Sequence, residues 1–130
     1  IVYHSPIPYS EVVEEIEKAD ILIHVESCEP FYIEDIKYGF TTKIADSLKS
    51  GRPLFVYAPE SLACTSYVKS ISPICTAVNR EELKANMVKL IENPALRKKI
   101  GNMNKIKAEE NHNPMNSQKQ IKEILMKIMK

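Results

Sequence analysis

The sequence predicts an α/β fold, a parallel sheet of about four strands with flanking helices, followed by a part that is helical to the C-terminus. Three observations carry this. Short apolar runs rich in β-branched residues (Ile21 to Val25, Leu54 to Tyr57, Ile74 to Val78) alternate with segments of helical periodicity, which implies parallel strands joined by right-handed crossovers. Gly51-Arg52-Pro53 stands between a helix-period segment and an apolar run, as a sharp helix stop does. Beyond Asn79, apolar residues recur at helical spacing, and Asn93-Pro94 and Asn113-Pro114 divide that stretch into separate helices.

Taken in order, Ile1-Val2-Tyr3-His4 reads as a strand, and Ser5 to Tyr9, with two prolines, as a loop. Ser10 caps a helix with Glu11 in its first turn and Val12, Val13, Ile16 and Ala19 facing inward. Ile21 to Val25 is a second, buried strand, and His24 within it reads as a core histidine. Glu26-Ser27 follows at its C-terminal end, where open parallel sheets bind ligands. Cys28 to Lys37 is an acidic, aromatic loop. Gly39 permits a bend before a helix that Thr41 or Thr42 caps, with Ile44, Ala45 and Leu48 on its apolar face and Gly51 at its end. Leu54-Phe55-Val56-Tyr57 is the pattern of a strand buried on both faces.

A short helix over Glu60 to Ser70 turns Leu62, Ala63, Tyr67 and Val68 inward, and Pro73 precedes the fourth strand, Ile74 to Val78. Asn79 with Glu82 three residues on resembles a capping box, opening a helix with Leu83, Met87, Leu90 and Ile91 on one face. Leu96, Ile100 and Met103 mark the next helix. In the last, Ile121, Ile124, Leu125 and Ile128 form one stripe and lysines line the other side. Such a lysine-rich face could approach a membrane, although most are simply solvated.

The 130 residues suffice for one domain with a real core. A net charge of +1 gives no argument for nucleic acid or an anionic membrane as partner. No apolar run approaches the roughly 20 residues of a membrane span, and no signal peptide is visible. Cys28, Cys64 and Cys75 are odd in number and form no Cys-x-x-Cys pair, so neither a metal site nor a disulfide framework is expected, and the compartment expected is the cytoplasm. The start at Ile1, without Met and almost at once in a strand-like run, reads as a piece of a longer protein. Neither Gly-x-Gly-x-x-Gly nor a Walker sequence occurs.

The polar chemistry gathers on the helix after Gly39. A helix N-terminus leaves backbone N–H groups unpaired, which suits an anion. Lys43 in the first turn opposes the helix dipole at a cost of roughly 0.3–1 kcal/mol, and a bound phosphate would reverse that sign. Asp46 lies about one turn further in, and Cβ bonds tilt toward the N-terminus, so its carboxylate can reach a ribose diol. The plainer alternative is an amphipathic helix with solvated Lys43 and Asp46.

The stretch Thr42-Lys43-Ile44-Ala45-Asp46-Ser47-Leu48-Lys49-Ser50-Gly51-Arg52-Pro53 resembles the Thr-Lys-Ile-x-Glu-x-Leu-Ala-x-Gly-Arg-Pro segment of GT-B glycosyltransferases, in their C-terminal, donor-binding domain. Ala19-Asp20-Ile21-Leu22-Ile23-His24-Val25-Glu26-Ser27 is similar to that family's Ala-Asp-x-x-x-x-Pro-Ser strand, and Asn93-Pro94-x-Leu96-Arg97 to its Asn/Asp-Pro-x-x-Arg helix. The three fall in the family's order and span nearly the whole chain.

The resemblance implies a Rossmann-like sheet, part of a GT-B C-terminal domain, in a bacterial, retaining-type enzyme of surface polysaccharide or glycoconjugate synthesis. Residues 1–130 would be its nucleotide-sugar-binding domain, at the cytoplasmic or inner-membrane face, lacking an N-terminal acceptor domain and inactive alone. Phe40, Thr41, Thr42 and Lys43 would hold the donor phosphates, Asp46 the ribose, and the loop Ser5, Pro6, Ile7 and Pro8 the base. The ligand would be a UDP- or GDP-linked sugar, with no cofactor or metal and no nucleic acid. Phe31 and Tyr32 would be core plugs or part of a sugar pocket. The C-terminal stripe, lacking its partner, would self-associate or form a loose tail.

Two departures stand out. Asp46 replaces the second of a pair of glutamates eight positions apart, and Tyr38 stands where the first would be. The donor-sugar contact and the catalytic residues are therefore unassigned. Two other readings remain beside the transferase: a nucleotide-sugar epimerase of GT-B architecture, and a non-catalytic α/β binding or interaction module.

Overall fold

The computed structural model describes residues 2–129. Its regular elements, in chain order, are α1 (Tyr9–Lys18), β1 (Leu22–Val25), α2 (Pro30–Ile36), α3 (Thr42–Ser50), β2 (Leu54–Tyr57), α4 (Ala63–Ile71), a 3₁₀ turn (Pro73–Cys75), β3 (Thr76–Ala77), α5 (Arg80–Glu92), α6 (Pro94–His112) and α7 (Pro114–Ile128). The three strands form one parallel sheet in the order β1-β2-β3. Leu22 lies opposite Leu54, Val25 opposite Tyr57, and Val56 opposite Thr76. The α/β class is thus as the sequence predicts, with a smaller sheet.

β2 is the centre. Leu54, Phe55 and Val56 are all buried, as an apolar run between two neighbours requires. Ile44 and Leu48 of α3, Val68 of α4, Leu90 of α5 and Ile100 of α6 close around it. Thr41 caps α3 by accepting a hydrogen bond from the Lys43 N–H at 3.3 Å. Gly51 ends the helix in the left-handed region at φ 73°, a conformation that suits a residue without Cβ. The chain then turns directly into β2.

α6 seals that turn. A side chain at Gly101 would run into the Gly51 carbonyl oxygen, so the backbones meet there without intervening atoms. One turn later the buried Asn104 amide donates to the Arg52 carbonyl at 2.7 Å. Arg97, at the start of α6, donates to the carbonyls of Leu90 and Ile91 at the end of α5, joining the two helices.

Several expectations are corrected. Val2 to His4 form no strand and are exposed, and Ile1 lies outside the described residues. α1 begins at Tyr9 behind Pro8 rather than behind Ser10, and it buries no residue fully; Val13 is exposed. β1 is an edge strand, not a buried one. Leu22 and His24 are partly covered, whereas Ile23 and Val25 are 57% and 61% exposed because nothing among the described residues lies over that face.

The stretch Cys28 to Lys37 is not all loop: Pro30 supplies a ready first-turn φ and α2 follows. The strand expected over Ile74 to Val78 shrinks to two residues because Pro73 starts a 3₁₀ turn, fastened by the Thr76 hydroxyl donating to the Pro73 carbonyl at 2.9 Å. The Asn86 amide then takes the Thr76 carbonyl at 2.9 Å. The helix expected from Glu60 starts at Ala63. Ile91, expected inward on α5, is exposed.

Candidate functional site

A cavity of about 300 Å³ opens outside the C-terminal ends of β1 and β2, where a parallel sheet places its ligands. Glu26 reaches it from the end of β1, Asp35 from α2, Phe40 and Thr41 from the approach to α3, and Cys64 from α4. Glu26 is fixed by its own backbone, whose N–H extends the sheet ladder to the Tyr57 carbonyl at 3.2 Å.

The N-terminus of α3 forms one wall. The Thr41 hydroxyl serves the Lys43 amide, and the Ile44 N–H turns back to the Thr41 carbonyl at 3.1 Å. The amides of Phe40, Thr41 and Thr42 have no protein acceptor among the described residues. Of these, only the Thr42 N–H belongs to the first turn of α3, since Thr41 is the extended cap residue and Phe40 precedes it; that amide and the helix dipole favour an anion. Lys43 is exposed beside them and forms no ion pair among the described residues.

Glu26 and Asp35 give the cavity an acidic lining. Glu26 Oε1 lies 2.8 Å from His24 Nε2, and the two side chains are 29% and 14% exposed. The contact is close but off the hydrogen-bonding axis, and His24 Nε2 is otherwise buried without a partner. His24 is therefore not a plain core histidine; it stands behind a carboxylate at the cavity. Cys64 sits at the base with its thiol pKa raised by burial, and so remains protonated.

Phe40 is held from the far side of the molecule. Its ring is stacked with that of His112, at the end of α6, and meets Tyr67 of α4 edge-on with centroids 5.1 Å apart. The Tyr67 hydroxyl is 2.9 Å from His112 Nε2 and accepts from the Asn111 amide at 3.1 Å.

Of the residues expected at the site, Phe40 and Thr41 line this cavity, and Thr42 and Lys43 form the first turn of α3 beside it. Asp46 does not line it. It is exposed, and with Val12, Ile16 and Lys49 it borders a second hollow of about 240 Å³ between α1 and α3. Ser5, Pro6, Ile7 and Pro8 form an exposed segment leading into α1 and line neither hollow. Phe31 and Tyr32 pack edge to face on each other and are largely exposed, so neither plugs the core.

Tyr38 points to solvent under the Lys37 ammonium. Asp35 and Cys64 were not legible as cavity residues. Asp35 stood in an apparent loop, and its only signal was the approach to the organising helix. Among the described residues no three His, Cys, Asp or Glu side chains group as a metal site, and no helix is long and apolar enough to cross a membrane. Compared with protein-family models, curated proteins and solved structures, the chain finds no match.

Proposed function

We propose that this chain is the donor nucleotide-sugar-binding part of a glycosyltransferase. The observation that carries the reading is the unpaired amides of Phe40 and Thr41 on the rim of a cavity at the C-terminal end of a parallel sheet, with that of Thr42 beside them at the start of α3. A diphosphate fits those donors, with Lys43 adding a cation for the charge that grows as the glycosidic bond breaks. Glu26 and Asp35 line the same cavity and suit the hydroxyls of a donor sugar. They fill the role that Tyr38 leaves vacant. Asp46, in the neighbouring hollow on α3, takes the ribose; the Ser5 to Pro8 segment, expected at the base, lines neither hollow. Transfer itself requires an acceptor-binding domain, so the chain alone binds the donor without turning it over.

The arrangement of His24 behind Glu26, with Asp35 nearby, favours one second reading, ring chemistry of the epimerase type on the same ligand class. The test is a titration with UDP, GDP, ADP and CDP followed by backbone amide NMR. One nucleotide should shift the Phe40 to Lys43 amides, and Asp46→Ala should weaken that binding while leaving the fold intact. No shift with any of the four, repeated on a longer chain, would end the nucleotide reading in favour of a non-catalytic module. Ring inversion of the bound sugar without an acceptor would favour the epimerase.

A further inference from the structure

The net charge of +1 conceals an asymmetry. Nine of the 18 basic residues but only three of the 17 acidic ones follow Glu92, which gives that C-terminal part a formal charge of +6 and the preceding part −5. α7 lies within the basic part, and none of its residues is buried. At 100° per residue, Ile121, Ile124, Leu125 and Ile128 fall within one arc of the helix. They are 53–74% exposed. Lys119, Lys122 and Lys127 lie outside that arc, with the exposed Met115 and Met126 between Lys119 and Lys122 and Glu123 the one acid of the helix.

We propose that α7 docks on an anionic lipid surface. Its 15 residues make a rod of roughly 22 Å, too short and too charged to span a bilayer. An apolar arc bordered by lysines is the form of a helix that lies in the headgroup plane. The charge argues for lipid over symmetric pairing of α7 with its copy in a second chain. Two α7 helices face to face would bring two basic C-terminal parts together, whereas anionic headgroups complement them. α7 is also placed to dock without rearranging the core. It is tied to α6 through Asn113, whose side chain accepts from the Met115 N–H at 2.9 Å, and its apolar side chains contribute nothing to the buried core.

The test is co-sedimentation of the full chain with phosphatidylcholine vesicles, with and without phosphatidylglycerol. Binding should be at least about tenfold tighter with the anionic lipid and should weaken with salt. Ile124→Glu with Leu125→Glu should abolish it, and Lys119→Gln, Lys122→Gln and Lys127→Gln together should remove the anionic preference. Each variant should unfold at the wild-type midpoint, since the side chains altered are exposed. Equal binding to both vesicles, no binding, or binding that survives the two glutamates would overturn the proposal. A concentration-dependent dimer that the two glutamates dissolve, with no vesicle binding, would assign α7 to self-association.

Discussion

The ring of His112 stacks on that of Phe40, with centroids 5.6 Å apart and planes 16° from parallel. The pair ties the last turn of α6 to the rim of the cavity. The Asn111 side-chain amide donates to the Tyr67 oxygen, which is also 2.9 Å from His112 Nε2.

Burial first, and the nearby Lys49 second, hold the His112 pKa below the usual histidine value of 6.5. The unfolded chain therefore takes up this proton before the folded one does. The stability contributed is complete above about pH 6.5 and is lost as pH falls through the lower folded value. Urea midpoints should drop on acidification across that window. His112→Phe keeps the stack and removes the proton, so its profile should be flatter than the wild type's. An unchanged slope would exclude His112 as the group responsible.

The contact between α3 and α6 should be intolerant of small changes. Replacing Gly by Ala inside a helix ordinarily gains up to about 1 kcal/mol. At Gly101 it should instead destabilise, because the added carbon meets the Gly51 carbonyl. Asn104→Ala leaves the part-buried Arg52 carbonyl without its donor and should cost about 1–3 kcal/mol in chemical denaturation.

The cap that Thr41 supplies is separable from the proposed phosphate site. Thr41→Ala removes the cap on α3 and should cost about 1 kcal/mol of stability, while Thr41→Ser should restore it. Both variants keep the backbone amides, so nucleotide-induced shifts at Phe40 to Lys43 should persist in each once the fold is stabilised. Loss of those shifts in folded Thr41→Ser would move the phosphate site elsewhere.

The three thiols should differ in reactivity. Cys28 is exposed, whereas Cys64 and Cys75 are buried, and burial pushes the Cys75 pKa up to about 11. Native-state alkylation near neutral pH should label Cys28 alone, with Cys64 and Cys75 reacting on denaturation. Bound nucleotide should leave the Cys28 rate unchanged, since that residue does not line the cavity.

Helix starts and stops were largely written in the sequence. The caps at Asn79, Asn93 and Asn113 each accept from an amide two or three residues on, and Gly51 adopts the positive φ its position suggests. These are local interactions, complete within one turn, so residue type and spacing suffice to determine them. The central strand was equally legible, because four apolar residues in a row have few other places to go.

What the tertiary structure alone decided is which segments become neighbours. β1 reads like a buried strand but stands at the sheet edge, because its burial depends on a partner supplied from elsewhere. Glu26, Asp35, Thr41 and Cys64 come from four separate segments and share a cavity only through the packing of β1, α2, α3 and α4. Phe40, Tyr67 and His112 are brought together across more than 70 residues of chain. Local physics fixes where each element begins and ends. Which faces meet is decided by long-range burial, which balances all the elements at once and leaves little trace in the spacing of any one of them.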